Sequence, residues 1–506
     1  MIENIKEAIP LLLHWSVFFY LSAGLIIGII LGAVPGLGGT MGVGVLLPLT
    51  FTLPILDALV LLTGIYKGTL VGGSFSAILI NTPGDAPAAA TCIDGFPLAQ
   101  QGQSRKALQG AIWGSGIGDL LADFVLFFGA VVLAPLVLKF GPSEIFWVGI
   151  FTLMATGCLA GDSLWKGLLG IAIGLILGCV GLDVLSATPR LGIIPKLGML
   201  DGIDLIPFLM GAFAISEVIV NLLPKKRKEA TDLANKVTGF YGPSLTFAEF
   251  KSSLKALFTG AGIGAFIGAV PGLGATAAAF LSYGINKQTY RNKGIGGVKF
   301  GEGAIEGVFA AESANSAVSG ATFIPLLSLG IPGSATSALM LAAFMLHGIS
   351  PGPGIFTNHG PMIFAFFIAL MVGSMMNVAY AYLLTKPLTW LLKKNPSIVY
   401  PVVLLLCFAG AYSINQRVFD LGIMVAIGLM AFAMKRVNIP VAPMVIGFIL
   451  SKILEQNFRM SLTISRGSFS ILWGSGIDKV LILLTIVAFV AVVMQRVKGG
   501  GVKDDD

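Results

Sequence analysis

Charged residues are scarce in this chain of 506 residues: Asp, Glu, Lys and Arg together make up 11% of it, and apolar residues make up 56%. An average soluble domain has about 25% charged residues, and the mean hydropathy of this chain is +0.90. These figures exclude a soluble enzyme and a disordered chain. With roughly 20 residues per helical span plus connections, we predict an all-α polytopic membrane protein with about 10–14 transmembrane segments.

Residues that bind metals or form disulfides are also few. The four cysteines are scattered without a CxxC pair, and the three histidines show no metal-ligand spacing. We therefore predict no disulfide framework, no metal site and no cofactor.

The signatures of an intramembrane enzyme are missing as well. The chain has no HExxH motif and no Walker A motif. Its one GxSxG string, at 348–352, is a poor nucleophile elbow, because Pro351 has no N–H to donate to an oxyanion. An enzyme is therefore the disfavoured alternative, while a channel stays open as a third class.

The basic residues are clustered, and the net charge is +7. The cluster Lys225–Lys228 lies in the longest hydrophilic connection, 222–250, which we predict to be a cytoplasmic linker under the positive-inside rule. It separates a first transmembrane half, 1–221, from a second, 251–497, and residues 498–506 form a solvated tail. This charge pattern indicates membrane lipid as a partner and gives no reason to expect nucleic acid.

Two segments of the chain repeat one another. Residues 24–40 and 260–276 align without a gap, and eleven of their seventeen positions are identical. This match predicts two internal repeats, one in each half, of the inverted kind found in secondary transporters. Glycines recur every four residues in both copies, which gives one helix face a groove where another backbone can approach closely.

Each copy should end a helix in the middle of apolar sequence. Proline disfavours the helical conformation in the residue before it and lacks an N–H. The Gly-Leu-Gly that follows uncovers backbone groups, which hydrocarbon tolerates only beside protein or a wet cavity. A turn at the membrane surface is the alternative, but two matched copies favour broken or re-entrant helices. The candidate substrate-binding residues here are Pro35, Gly36, Gly38, Pro271, Gly272 and Gly274.

A second break follows in each half, where apolar sequence is interrupted by Pro-Gly and resumes with small and hydroxyl residues. A helix that restarts there directs free N–H groups and its positive dipole end at the break, which favours an anion. An ordinary loop is the alternative, although both breaks lie among apolar residues. The candidate substrate-binding residues here are Asn81, Thr82, Pro83, Gly84, Gly330, Pro332, Gly333 and Ser334.

Ionisable side chains inside apolar stretches cost at least roughly 2.5–3.5 kcal/mol on insertion scales, so they are functional candidates. Asp119 and Asp123 share a helix face and could hold a cation or share a proton. Alternatively, Lys67 neutralises one of them in a structural ion pair. Glu312 is a candidate ion ligand or hydrogen-bond partner. The candidate ion-coupling residues are Thr40, Thr276, Glu312, Asn315, Asp119 and Asp123.

Several ordered motifs resemble those of one family. They include AVPGLGG at 33–39, SAILINTPG at 76–84, DGFPLA at 94–99, ESAN at 312–315, IPLL at 324–327 and GIPGS at 330–334. From about residue 15 to residue 495 the chain resembles the large membrane subunit of tripartite tricarboxylate transporters (TctA type). Four residues depart from the pattern of that family: Lys67, Asp119, Asp123 and Ser316.

The resemblance implies a multi-pass transporter of the bacterial inner membrane that imports carboxylates such as citrate. It implies two partners: a small four-helix membrane subunit (TctB type) and a periplasmic solute-binding protein (TctC type) that delivers the substrate. It also implies that a gradient of Na⁺ or H⁺, rather than ATP, drives import. Because the breaks are duplicated, we expect a broken-helix core that moves against a scaffold in an elevator-type mechanism.

Overall fold

The computed structural model describes residues 2–137, 140–159, 163–183, 188–190, 202–223, 239–270, 274–352, 354–392 and 399–499. Within these ranges nearly all regular structure is helical, which confirms the predicted all-α class. Two short strands, β1 (Gly181–Leu182) and β2 (Pro189–Arg190), pair as an antiparallel hairpin.

The helices of the first half are α1 (Ile2–Leu12), α2 (Trp15–Ala33), α3 (Gly39–Leu46), α4 (Ile55–Ile80), α5 (Ala89–Gln100), α6 (Ser104–Val137), α7 (Pro142–Leu159), α8 (Leu164–Gly178), α9 (Leu205–Leu209) and α10 (Ser216–Leu222). A 3₁₀ turn, Leu47–Thr52, follows α3. A π-helical segment, Met210–Ile215, joins α9 to α10.

The helices of the second half are α11 (Phe247–Ala269), α12 (Gly274–Thr289), α13 (Ile305–Ala321), α14 (Phe323–Leu329), α15 (Ala335–Leu346), α16 (Ile355–Asn358), α17 (Gly360–Leu391), α18 (Val399–Asn415), α19 (Val418–Arg436), α20 (Val441–Ile464) and α21 (Gly476–Gly499). Two 3₁₀ turns lie at Ile295–Gly297 and Phe469–Trp473.

Eight helices of the described residues are long and apolar enough to cross a membrane. Four further apolar helical segments, Gly39–Thr52, Leu164–Gly178, Ala335–Leu346 and Val403–Ser413, are shorter. The chain is therefore a multi-pass membrane protein. The apolar stretch 40–63, which by hydropathy alone predicts one span, is not one, because α3 ends at Leu46 and α4 begins only at Ile55.

The predicted linker 222–250 lies mostly outside the described residues, and so do Lys225–Lys228 and residues 500–506 of the tail. The structure does show where this linker ends. α11 begins at Phe247, four residues earlier than expected, because Thr246 and Glu249 form a capping box at its N-terminus.

The glycine groove predicted in the first copy is occupied by the backbone of α4. Cβ atoms at Gly28 and Gly32 of α2 would overlap the carbonyl oxygens of Ile65 and Thr69. The contact is reciprocal, since a Cβ at Gly68 of α4 would lie 2.5 Å from the Leu25 carbonyl oxygen. Small residues on both helices therefore bring the two backbones into direct contact.

The second copy packs in the same way on α13. A Cβ at Gly264 of α11 would overlap the Ala314 carbonyl oxygen, and one at Gly268 would lie 3.0 Å from that of Val318. The order of the main elements is also similar in both halves: helix, break, short helix, buried helix, break, short helix, long helix. The second half adds two short helices, α14 before its second break and α16 before its long helix. This order agrees with two repeats, which stay a prediction, as does their inverted relation.

Most of the described helices form two packed groups. The central group contains α2 to α6, α11 to α15 and α17, and the side group contains α7, α8, α20 and α21. The two groups meet where α20 packs on α15, and α20 also packs on the π-helical segment. α4 and α13 are buried along most of their length, so the centre of the core is helical and almost dry.

Substituting Gly264 tests the backbone contact between α11 and α13. We expect Gly264→Ala to lower the free energy of unfolding by about 1–3 kcal/mol, because the added methyl group overpacks the interface. The matched control is Gly262→Ala on the same helix, where a Cβ meets nothing within 4 Å. It should cause no loss, since alanine is the better helix former. The measurement is the midpoint of thermal loss of monodisperse protein in detergent. Equal midpoints for the two variants would contradict this packing.

Candidate functional site

In chain order, the first break is at 35–38, the second at 81–84, the third at 271–274 and the fourth at 330–333. The first and fourth breaks lie against each other. α2 ends at Ala33 before Pro35, and α3 begins at Gly39, as the proline predicts. The Thr40 Oγ1 atom at the start of α3 lies 2.8 Å from the Thr336 Oγ1 atom at the start of α15. The structure therefore joins a half-helix of the first half of the chain to one of the second.

The second break lies beside the first. A Cβ at Gly38 would lie 3.0 Å from the Asp85 Cβ. Gly84 packs directly on α2, and its N–H donates to the Gly73 carbonyl oxygen at 3.4 Å. A Cβ at Gly84 would overlap the Gly32 carbonyl oxygen. Close packing on α2 is therefore sufficient to explain the glycine at position 84, and no bound ligand is needed for that explanation.

Two of the breaks end their helices alike. Asn81 follows α4 with φ +54°, and Gly330 follows α14 with φ +71°. Both values lie in the left-handed region, which glycine and asparagine adopt most readily. Asn81 is exposed and Thr82, Pro83 and Ser334 are half-buried, whereas Pro332 and Gly333 are buried.

Tyr66 lies at the centre of these breaks, and sequence reasoning missed it. Its ring lies against Gly39 at the start of α3. Its side chain interacts with Ser334, which caps α15, and lies near Asp85 before α5. Three half-helix N-termini therefore lie near one tyrosine. The sequence offered one signal for Tyr66: it is a polar aromatic residue in an apolar stretch, directly before Lys67.

Asp85 is a second residue that sequence reasoning did not single out. Its Oδ1 accepts a hydrogen bond from the Ala88 N–H at 3.4 Å, at the entrance to α5. Ser334 holds the matching place before α15, where it forms a capping box with Ser337. The N-terminus of α3 follows Gly38 and has no side-chain cap. Hence the N-terminus of α5 has a carboxylate beside it, whereas those of α15 and α3 have none.

The third break lies partly outside the described residues, which exclude Pro271 and Gly272. Gly274 begins α12 with φ +70°, and Thr276 in its first turn is half-buried. Farther along α12, Ala279 packs with Ala90 of α5 and Ala311 of α13. The short helix after the third break thus lies next to the one after the second.

Glu312 is fully buried on α13 and is held by hydroxyl groups from three other helices. It accepts hydrogen bonds from Thr91 of α5 and, at 2.7 Å, from Ser115 of α6. Ser74 of α4 also interacts with it. Asp85 lies near enough for electrostatic repulsion. This geometry agrees with the hydrogen-bond role considered for Glu312, and its role in ion coupling stays a prediction.

Asn315 is one turn farther along α13 and is also fully buried. Neither atom of its amide has a hydrogen-bond partner among the described residues, and the hydroxyls of Ser313 and Ser316 have none either. Buried polar atoms normally have hydrogen-bond partners, and exceptions often mark a place where an ion, a water molecule or a ligand binds. The amide of Asn315 is therefore free to bind one.

Lys67, Asp119 and Asp123 form one buried ion cluster. The Lys67 Nζ atom lies 2.7 Å from Asp119 Oδ1 and 2.8 Å from Asp123 Oδ2. Ser319 and Ser374 also bind the carboxylates. Three departures from the family pattern are therefore a single feature, and Lys67 neutralises charge here as the ion-pair interpretation predicts. The hydroxyl of the fourth departure, Ser316, makes no hydrogen bond to this cluster within the described structure.

Half-helices that begin at breaks and meet around buried polar groups are typical of membrane transport proteins. Residues 18–446 match the Tripartite tricarboxylate transporter TctA family. The chain belongs to this family, which confirms the resemblance seen in its motifs. It is therefore a component of a tripartite tricarboxylate transporter and not an enzyme.

Two relatives come from Agrobacterium vitis. An uncharacterized 52.8 kDa protein in the TAR-I ttuC' 3' region is 33% identical over 479 residues, which cover 94% of this chain and 93% of that protein. An uncharacterized protein in the TAR-II ttuC' 3' region is 34% identical over 239 residues, which cover 46% of this chain and 96% of that protein. No solved structure matches this chain.

The role of Asn81 can be tested with two substitutions. If Asn81 serves mainly as the left-handed residue that ends α4, Asn81→Gly should keep stability and uptake. Asn81→Ala should lose about 1–2 kcal/mol of stability, because alanine lacks the short polar side chain that lets asparagine adopt a positive φ. The measurements are thermal unfolding of purified protein and uptake by the complete transporter. If both variants fold but lose uptake equally, the side-chain amide binds substrate instead.

Proposed function

We propose that this chain is the transport subunit of an ion-gradient-driven secondary transporter that imports citrate-like tricarboxylates across the bacterial inner membrane. The observation that carries the proposal is the meeting of three half-helix N-termini around Tyr66, in a chain of the TctA family. Since the sequence has no Walker A motif, a gradient of Na⁺ or H⁺ supplies the energy.

The carboxylates of the substrate bind at the first and fourth breaks. The N-terminus of α3 has no side-chain cap, and that of α15 is capped by the neutral Ser334. Free N–H groups and the positive dipole ends of these helices attract an anion. The hydroxyls of Tyr66, Thr40 and Thr336 add neutral donors. Lys67 does not bind the substrate directly, because its ammonium group is already paired with Asp119 and Asp123.

The coupling ion binds on the other side of Tyr66. Asp85 and Glu312 place negative charge there, and Asn315 on the same helix as Glu312 has an unpartnered amide. Carboxylate and carbonyl oxygens are the groups that bind hard cations. A cation held here would lower the repulsion between the carboxylates and an arriving anionic substrate. Thr276, in the first turn of α12, lies on this side of the core.

The transport movement is an elevator-type displacement of the central group against the side group. Two observations support it. The central group contains all four breaks and the buried polar clusters, and the side group packs mainly on itself through α7, α8, α20 and α21. A packed core that moves as a unit keeps its backbone hydrogen bonds, which a local unwinding in hydrocarbon would break.

Capture of the substrate outside the membrane requires the two partner subunits. The only long hydrophilic connection of the chain carries the basic cluster of the predicted cytoplasmic linker. We therefore propose that a periplasmic solute-binding protein delivers the tricarboxylate and that a small four-helix membrane subunit completes the complex. The membrane is the bacterial inner membrane.

Reconstitution of the complete complex tests both coupling and delivery. In liposomes that contain both membrane subunits, saturable accumulation of labelled citrate should require the binding protein and an imposed ion gradient. A membrane voltage alone, with neither a Na⁺ gradient nor a pH gradient, should give no accumulation. ATP inside the liposomes should have no effect. The proposal is wrong if accumulation survives loss of both gradients. Uptake without saturation would favour a channel.

Substitutions of Ser334 test the anion site at α15. Ser334→Thr keeps the capping hydroxyl and should keep uptake within about threefold, a loss below about 1 kcal/mol. Ser334→Asp also caps the helix but places a negative charge where the substrate carboxylate binds. It should lower uptake at least tenfold while surface expression stays normal, since one carboxylate repels another. Ser413→Ala on α18 is the control for expression. Equal uptake by the Asp and Thr variants would move the anion site elsewhere.

A further inference from the structure

The ion cluster of Lys67, Asp119 and Asp123 joins both halves of the chain. Lys67 lies on α4 and the two aspartates on α6, while Ser319 on α13 and Ser374 on α17 bind the carboxylates from the second half. Lys67 and Asp123 are completely buried, and Asp119 is nearly so. The cluster is therefore an internal contact between four helices of the central group.

The formal charges in this cluster do not balance. Two ionised carboxylates face one ammonium group, which leaves one negative charge in a dry interior. An isolated buried charge is costly, and such a group neutralises itself by binding a proton rather than staying charged. One proton shared by Asp119 and Asp123 makes the cluster neutral.

The hydrogen bonds also call for one more hydrogen. Ser374 Oγ accepts from the Lys67 Nζ at 3.0 Å and lies 2.6 Å from Asp123 Oδ2, 3.0 Å from Asp119 Oδ2 and 3.1 Å from the Leu370 carbonyl oxygen. Its single hydrogen can serve only one of these oxygens. If it is donated to Asp123, a proton on Asp119 Oδ2 completes the remaining contact, because a serine oxygen accepts two hydrogen bonds.

Among the described residues, the surroundings supply no second cation to replace that proton. Of the groups that face the cluster, Tyr66 lies near Asp119, and Glu312 binds Ser115 one turn before Asp119 on α6. Asp85 interacts electrostatically with Tyr66 and Glu312. The other basic residues described on these four helices lie near helix ends: Arg105, Lys106 and Lys386.

A proton fits the cluster better than a metal ion does. The Lys67 ammonium already occupies the point between the two carboxylates at hydrogen-bonding distance from each. A metal ion there would have to displace it or lie beside another positive charge. None of the four carboxylate oxygens of Asp119 and Asp123 is without a partner within the described structure. A proton needs no additional space.

We propose that the Lys67–Asp119–Asp123 cluster holds one exchangeable proton and that this proton is coupled to transport, as a second ion beside the one held at Asp85 and Glu312. The second part rests on the proposed function. On binding, the proton converts one aspartate to its carboxylic acid; on release, it returns to water and leaves the cluster with one negative charge. Tyr66, adjacent to Lys67 in sequence, connects this charge change to the site at Ser334.

The first test detects the proton without transport. We expect the infrared spectrum of the purified full-length chain at neutral pH to show a carboxylic acid carbonyl band that shifts in D₂O. Asp119→Asn or Asp123→Asn should remove that band, and the neutral triple variant Lys67→Gln, Asp119→Asn, Asp123→Asn should also lack it. Glu312→Gln and Asp85→Asn should leave the same band in place. A band unchanged in every aspartate variant of the cluster overturns the proposal.

The second test measures coupling in the complete complex. A pH gradient without Na⁺ should drive accumulation of citrate in the wild type, and Asp119→Asn should lose at least tenfold of it while still exchanging citrate across the membrane. Accumulation by Asp119→Asn equal to that of the wild type overturns the coupling. If the wild type takes up no carboxylate under any gradient, the proposed function fails, and the infrared band alone decides the proton site.

Discussion

Direct contact between helix backbones is the constraint on which the rest of this structure depends. Glycines of α2 lie on the carbonyl groups of α4, with Gly32 against Thr69. Because no side chains separate these helices, the end of α2 lies beside the last turns of α4. The first and second breaks therefore meet, and Gly84 packs on the Gly32 carbonyl oxygen. Close packing in an apolar chain thus positions its polar site.

The two halves share a frame but differ in charge. Asp85 and Ser334 stand at matching places before short helices, and one is a carboxylate while the other is a neutral hydroxyl. In the proposed function, the neutral side at Ser334 binds the anion and the side at Asp85 binds the cation. A site with two such sides can bind both together, as a symporter requires. A strictly symmetric pair of breaks would present the same charge to both.

Buried ionisable groups are concentrated along α4, α6 and α13 of the central group. The Lys67 cluster and Glu312 lie about two turns apart on α6, through Asp119, Asp123 and Ser115. Each cluster contains groups from both halves of the chain, so a change in its charge alters how the halves attract each other. Low local dielectric makes such a change large in energy, because there is little water to screen it.

The sequence alone determined the membrane class, the ends of several helices and the family. Low charge requires helices that satisfy their own backbone groups in lipid, and proline with its neighbouring glycines ends α2 at the first break. These are local effects, so neighbouring residues reveal them. Only the tertiary structure decided that Tyr66 lies among three helix entrances and that Lys67 meets Asp119 and Asp123. Helix packing brings Lys67 together with partners that are 52 and 56 positions away in the chain. The local sequence pattern does not indicate which buried helix faces will meet.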